Sequence, residues 1–538
     1  EHERTGTAFR EVLFNYGIVE EEQLMWMMAQ TLDTEYVDLK MIDFDRGFLN
    51  QFNPDILRTY EIIPIREEGA TLVVAAGDPL NVNLIDELHQ IFGRDVQIMV
   101  SRPEDIEEAL DHFFPQDTVS SFDEVLSEMQ QFEIGDLDNE GNANIEDIEQ
   151  AANSTPVKRF VNVILHQAIK DQASDIHFEP FADEFKIRYR VDGVLYEMQP
   201  PPRSLAVPVI SRVKVISNLN IAERRKPQDG RIEMRIAGKK IDMRVSTLPT
   251  QYGESVVLRV LDKSVVNLDL EALGLPDDIK QELRDIIVKP NGILLVTGPT
   301  GSGKTTTLYS CLREVNKVED KILTCEDPVE YNIEGLMQVP VNEAIGMTFA
   351  KALKAFLRQD PDRIMVGEIR DLETAGIAVE ASLTGHFVFS TLHTNDAPSA
   401  ITRLADMGVE PFLITSTVEG VLAQRLVRRI CKYCRTSYVI TDEELEKLNL
   451  RREEVGDGIV YVGQGCPECN NTGYKGRVGI FELFKFSHKT KEMVLRKESA
   501  TVIAAQAKAE GMRSLLEHGI EQIFAGNTTV EEVLRYTH

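Results

Sequence analysis

The spacing of hydrophobic positions changes along the 538-residue chain and divides it into modules. Near the start, Phe9, Val12, Leu13 and Tyr16 recur at helical spacing, and the later run TLVVAAGDP has the pattern of a strand followed by a turn. Residues 1–115 are therefore predicted to form a small α/β domain.

An acidic and weakly hydrophobic segment follows this first domain. Between Asp117 and Glu149 the sequence contains eleven acidic residues and neither lysine nor arginine. A segment with little apolar surface and one sign of charge cannot offset the entropy that is lost on folding. This composition predicts a flexible linker over 116–152, which can include short helical turns.

Amphipathic and alternating patterns resume after the linker. The helical run PVKRFVNVILHQAIKDQ precedes five alternating runs typical of β-strands: FKIRYRV, GVLYEM, RIEMRI, KIDMRVS and SVVLRVL. These runs predict a second domain over 153–268.

Over 269–538, apolar strands alternate with a glycine-rich loop and helical runs, which is the pattern of a parallel α/β sheet.

Charge and composition narrow the class of protein. The formal net charge is −30, and a surface of this sign repels phosphates, so nucleic acid is not an expected partner. No run approaches the ~20 apolar residues of a membrane-spanning helix, and the first residues lack the pattern of a secretory signal. The sequence thus predicts a cytoplasmic protein. Because it begins with Glu1 rather than Met, native residues are expected before this position.

A glycine-rich loop follows the first apolar strand of the third domain. The segment GPTGSGKT (298–305) lies between a buried-strand pattern and a helical pattern, the context that a phosphate-binding loop requires. Lys304 is expected to reach the β- and γ-phosphates of ATP, and the Thr305 hydroxyl is expected to bind Mg²⁺. The predicted nucleotide contacts are Gly298, Pro299, Thr300, Gly301, Ser302, Gly303, Lys304, Thr305 and Thr306.

Acidic residues follow two further apolar strands. Glu326, Asp327 and Glu330 lie at and beyond the end of one strand, and Glu368 follows the other. Because residues at the carboxyl ends of parallel strands face the ligand crevice, these carboxylates are expected near the nucleotide. Hydrolysis needs an acid that holds the metal ion and a residue that orients water. Either Glu330 or Glu368 fits the general base; a surface or capping role is the alternative for Glu326 and Asp327.

Two histidines flank a third strand-like run, HFVFSTLHTNDA. His386 opens this run, and His393 stands at its end. At a strand terminus His393 is expected to sense the γ-phosphate or to couple it to neighbouring elements. A hydrogen-bonded structural histidine is the alternative for both positions.

Four of the six cysteines form two CxxC pairs, Cys431/Cys434 and Cys466/Cys469. In a reducing compartment such pairs favour a tetrahedral Zn²⁺ site, and four thiolates leave no open position for catalysis. The 31 residues between the pairs exceed the spacing of common zinc ribbons, so the run TDEELEKLNL is predicted to form an inserted helix. A zinc-binding insertion is predicted over 431–469, with a redox or free-thiol role as the alternative.

The motifs together resemble those of secretion ATPases. GPTGSGKTTTLY, CEDPVEY, LRQDPDRIMVGEIRD and GHFVFSTLHTNDA occur in the order found in the motors of type II secretion and of type IV pilus extension. The likeness runs from about residue 155 to the C-terminus. The resemblance implies an α/β fold, with a RecA-like P-loop ATPase domain preceded by a PAS-like domain and a small N-terminal domain. It also implies a homohexameric ring.

The resemblance further implies arginine fingers on the PAS-like domain. The matching residues are Arg244 and Arg259, with Arg231 as a third candidate. Arg259 lies within the apolar run SVVLRVL, where an unpaired charge is costly, so it is expected to meet an anion. An arginine finger increases the rate of nucleotide hydrolysis by ~10³ to 10⁵ in related enzymes. A salt bridge to a nearby acid is the alternative for Arg244 and Arg259.

The first domain resembles a family domain that binds cyclic di-GMP in some members. Leu13 and Gly17 fit that motif, but Ala8, Phe9 and Arg10 stand where its R-L-G would be. Docking to a partner is therefore expected in preference to cyclic di-GMP binding. The partners that the resemblance implies are an inner-membrane platform protein and a membrane-associated cytoplasmic docking protein.

The sequence therefore predicts a hexameric ATPase, recruited to the inner face of the inner membrane through its partners, that powers assembly of a type IV pilus or a type II secretion pseudopilus. Extension and secretion motors of the family typically carry the tetracysteine element, which favours assembly over retraction. The alternative is a nucleotide-gated scaffold with little turnover. A nucleic-acid translocase, which would share the RecA-like core, is opposed by the net charge of −30.

Overall fold

A computed structural model describes residues 21–31, 34–49, 51–60, 62–77, 84–114, 145–236, 239–262 and 268–537. Positions 8–17, on which the comparison with cyclic di-GMP-binding domains rests, lie outside these ranges, as does most of the predicted linker. Among the described residues, no helix combines the length and the apolar character needed to cross a membrane.

The N-terminal region folds around a small three-stranded sheet. Its elements are α1 (Glu21–Thr31), α2 (Arg46–Leu49), α3 (Pro54–Thr59), β1 (Ile62–Glu68), β2 (Thr71–Ala76), α4 (Leu84–Phe92), β3 (Asp95–Val100) and α5 (Pro103–Phe113). The central strand β2 is antiparallel to β1 and parallel to β3. Leu72, Val73 and Val74 are all buried, so both faces of β2 are covered, which explains its continuous apolar sequence.

The last part of the predicted linker is helical. A helix, α6 (Ile145–Ala152), packs against the helix at 206–216 of the second domain, with Ile148 and Ala152 buried. These two residues are four positions apart and share one helical face, so their burial stabilises the helix despite its acidic neighbours. The predicted linker, in which short helical turns are allowed, therefore ends in a helix that packs on the second domain.

The second domain is an antiparallel sheet covered by helices. Its further elements are α7 (Thr155–Lys170), β4 (Asp175–Pro180), β5 (Phe185–Val191), β6 (Val194–Glu197), α8 (Ala206–Ile216), β7 (Gln228–Ile236), β8 (Lys239–Thr250) and β9 (Gly253–Asp262). The strand order is β6-β5-β4-β9-β8-β7. Ile176 and Phe178 face a core shared with Phe160 and Val209 of the helices, whereas charged residues alternate onto the other face.

The third domain supplies a seven-stranded sheet and the helices around it. Its elements are α9 (Asp277–Ile287), β10 (Gly292–Thr297), α10 (Lys304–Val315), β11 (Ile322–Glu326), β12 (Leu336–Pro340), α11 (Phe349–Phe356), β13 (Arg363–Val366), α12 (Leu372–Leu383), β14 (Phe387–Leu392), α13 (Ala397–Asp406), α14 (Pro411–Thr417), β15 (Val418–Ile430), β16 (Arg435–Val439), α15 (Asp442–Lys447), β17 (Ile459–Gly463), β18 (Tyr474–Phe484), α16 (His488–Leu495), α17 (Ala500–Ala509), α18 (Leu515–Phe524) and α19 (Val530–Thr537).

This sheet has the order β12-β11-β13-β14-β10-β15-β18, and its strands are parallel except for β18. Every residue of β10 is buried, because hydrophobic cores cover both faces of the sheet. The parallel α/β fold predicted from the sequence is confirmed.

The segment between the two CxxC pairs forms a hairpin of β16 and β17 with α15 between the strands. Thr441 caps α15 and forms a capping box with Glu444. Leu445 packs with Ile523 and Val533 of the C-terminal helices. The inserted helix predicted from the run TDEELEKLNL is therefore present.

A buried ion pair fixes the second domain. Lys214 of α8 is 1% exposed, and its Nζ donates to both carboxylate oxygens of Glu254, each at 2.9 Å, and to the Glu223 carbonyl oxygen at 2.7 Å. Replacing one member of such a pair leaves a buried charge without its partner.

We expect Lys214→Ala to destabilise the second domain by about 3–5 kcal/mol, because the Glu254 carboxylate stays buried without an ammonium group. Hydrogen exchange of the amides of α8 and β9 in the full-length chain measures this. The control is Lys186→Ala, which removes a more exposed partner of Glu197 and should leave the amide protection close to that of the wild type. Unchanged amide protection in Lys214→Ala would contradict the prediction.

Candidate functional site

The loop that joins β10 to α10 has a backbone that glycine alone adopts readily. Gly298, Gly301 and Gly303 have φ values of 151°, 78° and 87°. A Cβ on Gly298 would lie 2.5 Å from the Gln424 carbonyl oxygen. Gly303 is the N-cap of α10, so the N–H groups of the first helical turn face the loop. Such a loop can surround a phosphate group.

The side chain of Lys304 folds back onto the loop. Its Nζ donates to the carbonyl oxygens of Gly298 at 2.8 Å and Pro299 at 2.9 Å. Burial lowers the pKa of Lys304 to about 8, the Glu368 carboxylate opposes this shift, and Arg425 adds to it. A phosphate placed here would stabilise the charged ammonium group.

The remaining residues of the predicted nucleotide contacts differ in exposure. The loop tip formed by Pro299, Thr300 and Gly301 is exposed, and so is Thr305 in the first turn of α10. Thr306 is half-buried and Ser302 is buried. A ligand can therefore reach the tip of the loop and the Thr305 hydroxyl, where a metal ion bound to phosphate would lie.

Of the two adjacent acids after β11, Glu326 is buried and Asp327 lies at the surface. Glu326 is 3% exposed and accepts hydrogen bonds from the hydroxyls of Thr324 and Tyr309 and from Nε2 of Gln338. These hydrogen bonds hold the Glu326 carboxylate inside the domain. Asp327, the next residue, is half-exposed, and its carboxylate is 3.7 Å from Arg370.

Glu368 and His393 meet beside the loop. Glu368 follows β13, His393 follows β14, and their side chains approach to 3.4 Å between Oε2 and Nε2. The Glu368 carboxylate also accepts a hydrogen bond from Arg370. His386 lies at the opposite end of β14, where its Nδ1 is 2.9 Å from the Ala381 carbonyl oxygen, an arrangement that fits its structural alternative.

The second domain reaches this site through Arg244. The Nη2 atom of Arg244 is 3.7 Å from Oε2 of Glu330, and both side chains are about one-third exposed. Glu330 follows β11, so this contact joins the two domains at the end of the sheet that carries the loop.

The other two finger candidates pair with acids of their own domain. Arg231 donates to Asp242 through both Nε and Nη2. Arg259 donates through Nε to Oδ1 of Asp175 at 3.1 Å, which is the salt bridge considered as its alternative. The Arg259 side chain is 59% exposed, because β9 alternates and Leu258 takes the buried face. Arg259 therefore meets an anion, Asp175, on the exposed face of the strand and not in its apolar interior.

Two residues of β15 contribute to the site, and the sequence analysis did not identify them. Gln424 accepts a hydrogen bond from the Thr307 hydroxyl at 2.8 Å and donates to the Ser302 carbonyl oxygen at 2.6 Å. Arg425 is 6% exposed and donates to the Asn395 carbonyl oxygen at 2.7 Å. The available signal was a polar pair in the middle of a long apolar strand.

The four predicted metal ligands form a compact cluster. Their Sγ atoms lie within 4.8 Å of one another, with separations of 3.8 Å for Cys431–Cys466, 3.9 Å for Cys434–Cys469 and 3.7 Å for Cys466–Cys469. A tetrahedral ion at about 2.3 Å from each sulfur requires sulfur separations of about 3.8 Å. Burial raises the pKa of the Cys469 thiol, but N–H donation from Cys466 and Gly473 outweighs it and lowers that pKa to about 7.

Family models match most of this chain. Residues 150–535 match the family described as type II/IV secretion system protein. The chain belongs to the type II/IV secretion system protein family. Residues 32–120 also match the MshEN domain.

Relatives match along the whole chain. The type IV pilus assembly ATPase PilB of Myxococcus xanthus is 41% identical over 539 residues, covering 100% of this chain and 95% of that protein. The type II secretion system protein E of Xanthomonas campestris pv. campestris is 41% identical over 541 residues, covering 99% and 94%. The sequence prediction of a secretion ATPase is confirmed.

A solved structure shares the fold. The ATPase DotB of Legionella pneumophila superposes with a TM-score of 0.52 at 22% identity, covering 70% of this chain and 94% of DotB.

The lowered pKa of Lys304 predicts a pH dependence of nucleotide binding. Phosphate favours the charged ammonium group, so ATP should bind more weakly as the pH rises through the free-state pKa of about 8. The Kd of a fluorescent ATP analogue at saturating Mg²⁺ should be flat up to about pH 7.5 and then increase about tenfold per pH unit.

Lys304→Met is the control for this titration, because it removes the ionisable group and should bind weakly at every pH. A wild-type Kd that stays constant up to about pH 9.5 would contradict the assignment of Lys304 as the phosphate ligand.

Proposed function

We propose that this chain is an ATP-hydrolysing motor that powers assembly of a type IV pilus or of a type II secretion pseudopilus. The main support for this proposal is that Glu368 and His393, which follow neighbouring parallel strands, lie close to Lys304 in the glycine-rich loop. The full-length relatives named for pilus assembly and for type II secretion are equally similar, at 41% identity each, which supports the class of machine.

The loop residues 298–306 bind the phosphates of ATP in this proposal. Lys304 neutralises the β- and γ-phosphates, and the exposed Thr305 hydroxyl would hold Mg²⁺, which supplies further positive charge there. Glu368 is held by Arg370 and His393 next to the lysine, a position suited to the metal ion and the γ-phosphate.

Glu330 orients the attacking water and takes its proton in this proposal. It approaches the site from a different strand than Glu368, and Arg244 lies 3.7 Å away. The water oxygen bonds to the γ-phosphorus as the bond to the ADP oxygen breaks. Arg244 and Arg259 stabilise the negative charge that develops on the transferred group, as arginine fingers do.

Ring formation and membrane recruitment follow from the family in this proposal. The chain assembles as a homohexamer and acts in the cytoplasm at the inner face of the inner membrane. Its first domain binds a membrane-associated docking protein, and the ring drives an inner-membrane platform protein. Trp26 and Met27 on α1 are each 55% exposed, which supports a contact surface on this domain.

The tetracysteine cluster holds a structural Zn²⁺ ion in this proposal, because its sulfur separations fit a tetrahedral ion. The four thiolates fill the coordination sphere, so the ion stabilises the β16–β17 hairpin and takes no part in hydrolysis.

Substitution of the two acids separates their roles. Glu330→Gln should lower kcat by ~10² to 10⁴ while the affinity for Mg-ATP changes little, because glutamine cannot accept the proton of water. Glu368→Gln should lower kcat and also raise the Mg²⁺ concentration needed for half-maximal turnover. Steady-state ATPase assays with Mg²⁺ titrations, at a protein concentration that supports rings, measure both effects.

The exposed residue Glu334 offers the control Glu334→Gln, which should turn over like the wild type. If the magnesium requirement changes in Glu330→Gln instead, the two roles are exchanged. A wild-type rate no higher than that of the two glutamine variants would favour a nucleotide-gated scaffold.

Removal of one cluster ligand tests the zinc proposal. Full-length protein should contain about one zinc ion per chain by mass spectrometry, and Cys434→Ser should lose most of it. The variant should also lose amide protection in β16 and β17 while it keeps ATP affinity. Cys325→Ala, at a buried cysteine outside the cluster, should retain the metal. Wild-type protein without zinc after expression in zinc-containing medium would refute the proposal.

A further inference from the structure

A single row of charged side chains crosses five strands of the second domain. Arg190 lies opposite Asp175, Asp175 opposite Arg259, Arg259 opposite Arg244, and Arg244 opposite Arg231. Residues directly opposite each other in antiparallel strands project from the same face. The row therefore presents four guanidinium groups and one carboxylate along one line.

Like charges directly opposite each other destabilise a sheet, so this row requires negative charge. Within the row, Asp175 supplies it from a position between Arg190 and Arg259. The residue is 6% exposed, and its Oδ2 accepts a hydrogen bond from the Ser174 hydroxyl at 2.8 Å and lies 3.6 Å from Nε of Arg190. Its carboxylate is thus fixed, with Oδ1 directed at Arg259.

Arg231 and Arg259, two of the three candidate arginine fingers, pair with acids in different ways. Asp242 binds Arg231 through Nε and Nη2 together, which occupies one edge of that guanidinium. Asp175 contacts Arg259 through Nε at 3.1 Å, and in the described part of the chain this contact leaves both terminal amino groups for a second acceptor. With its side chain 59% exposed, Arg259 can present them to a phosphate group.

The row also extends to the candidate nucleotide site. Arg244, the direct neighbour of Arg259 in the row, lies 3.7 Å from Glu330 of the third domain. The face of the sheet that carries the row is therefore the face that approaches ATP-binding elements.

We propose that Asp175 is a positioning residue for ATP hydrolysis, which holds Arg259 by Nε so that its terminal amino groups meet the transferred phosphate. Arg231, whose guanidinium is engaged by Asp242, serves the structure of the sheet. The inference rests on the proposed function, because it assigns Asp175 to the same reaction. Asp175 acts through Arg259 and does not touch the nucleotide.

The expected size of the effect follows from this indirect role. Loss of an arginine finger costs ~10³ to 10⁵ in rate, whereas displacement of a reacting group by about 1 Å costs about 10². Asp175→Ala should therefore lower kcat about 10²-fold and leave the KM for ATP within about threefold, because the loop of the third domain still binds the nucleotide.

A double-mutant cycle on the full-length chain tests the proposal. ATP turnover is measured for the wild type, Asp175→Ala, Arg259→Ala and the double variant at a concentration that supports rings. The double variant should be no slower than Arg259→Ala, because Asp175 has no role once Arg259 is absent. The proposal would be overturned if Asp175→Ala lowered kcat by the same factor in the wild type and in Arg259→Ala. It would also be overturned if Asp175→Ala changed only the KM.

Two further variants separate positioning from folding. Asp175→Asn keeps an oxygen that can accept a hydrogen bond from Nε of Arg259. Its kcat should therefore be at least about tenfold higher than that of Asp175→Ala. Glu179→Ala is the matched control. Glu179 lies on the same strand and the same face as Asp175, but it pairs with Arg188, outside the row, at 2.6 Å. The Glu179→Ala variant should therefore turn over ATP at the wild-type rate. A wild type without turnover would refute the proposed function itself; an active wild type with an equally active Asp175→Ala would refute the positioning role alone.

Discussion

The parallel register of neighbouring strands is the constraint on which the candidate site depends. Thr297, the last residue of β10, lies opposite Leu392, the last residue of β14, and Val366 at the end of β13 lies opposite Ser390. Because the strands run in one direction and end at nearly the same level, the residues that follow them meet at one edge of the sheet. The phosphate-binding loop, Glu368 and His393 are brought together in this way.

The second domain adds arginines to the positive charges that Lys304, Arg370 and Arg425 of the third domain place at this edge. Its row of arginines is costly in isolation, since neighbouring guanidinium groups repel each other. Acids of the sheet offset part of this repulsion, and the phosphates of a bound nucleotide can offset the remainder. A ligand that contacts both domains favours the arrangement in which they lie close together. In the proposed mechanism, nucleotide binding and release would then change the position of one domain relative to the other.

Features that depend on short-range sequence patterns could be predicted from the sequence. The glycine spacing at 298–303 identified the loop, because only glycine tolerates the backbone there. The CxxC pairs identified the cysteine cluster, because each pair presents two thiolates within one short turn. The strand-then-acid pattern identified Glu368, because parallel strands end at one edge.

Features that depend on strand order or on alternation were missed. Gln424 and Arg425 reach the loop because β15 pairs with β10, although more than 120 residues separate Gln424 from Ser302 along the chain. The exposure of Arg259 depends on which face of β9 is covered, and an apolar run of seven residues does not reveal this. At the end of the linker only short helical turns were predicted, because the acidic composition obscures the shared face of Ile148 and Ala152.

The most direct test of this account is the kinetics of a full-length variant in which both Arg244 and Arg259 are replaced by alanine. If arginines of the second domain complete a site that the third domain builds, this variant binds Mg-ATP with nearly wild-type affinity but hydrolyses it at least ~10³-fold more slowly. Turnover at the wild-type rate would contradict the account, because the nucleotide would then be hydrolysed without the second domain.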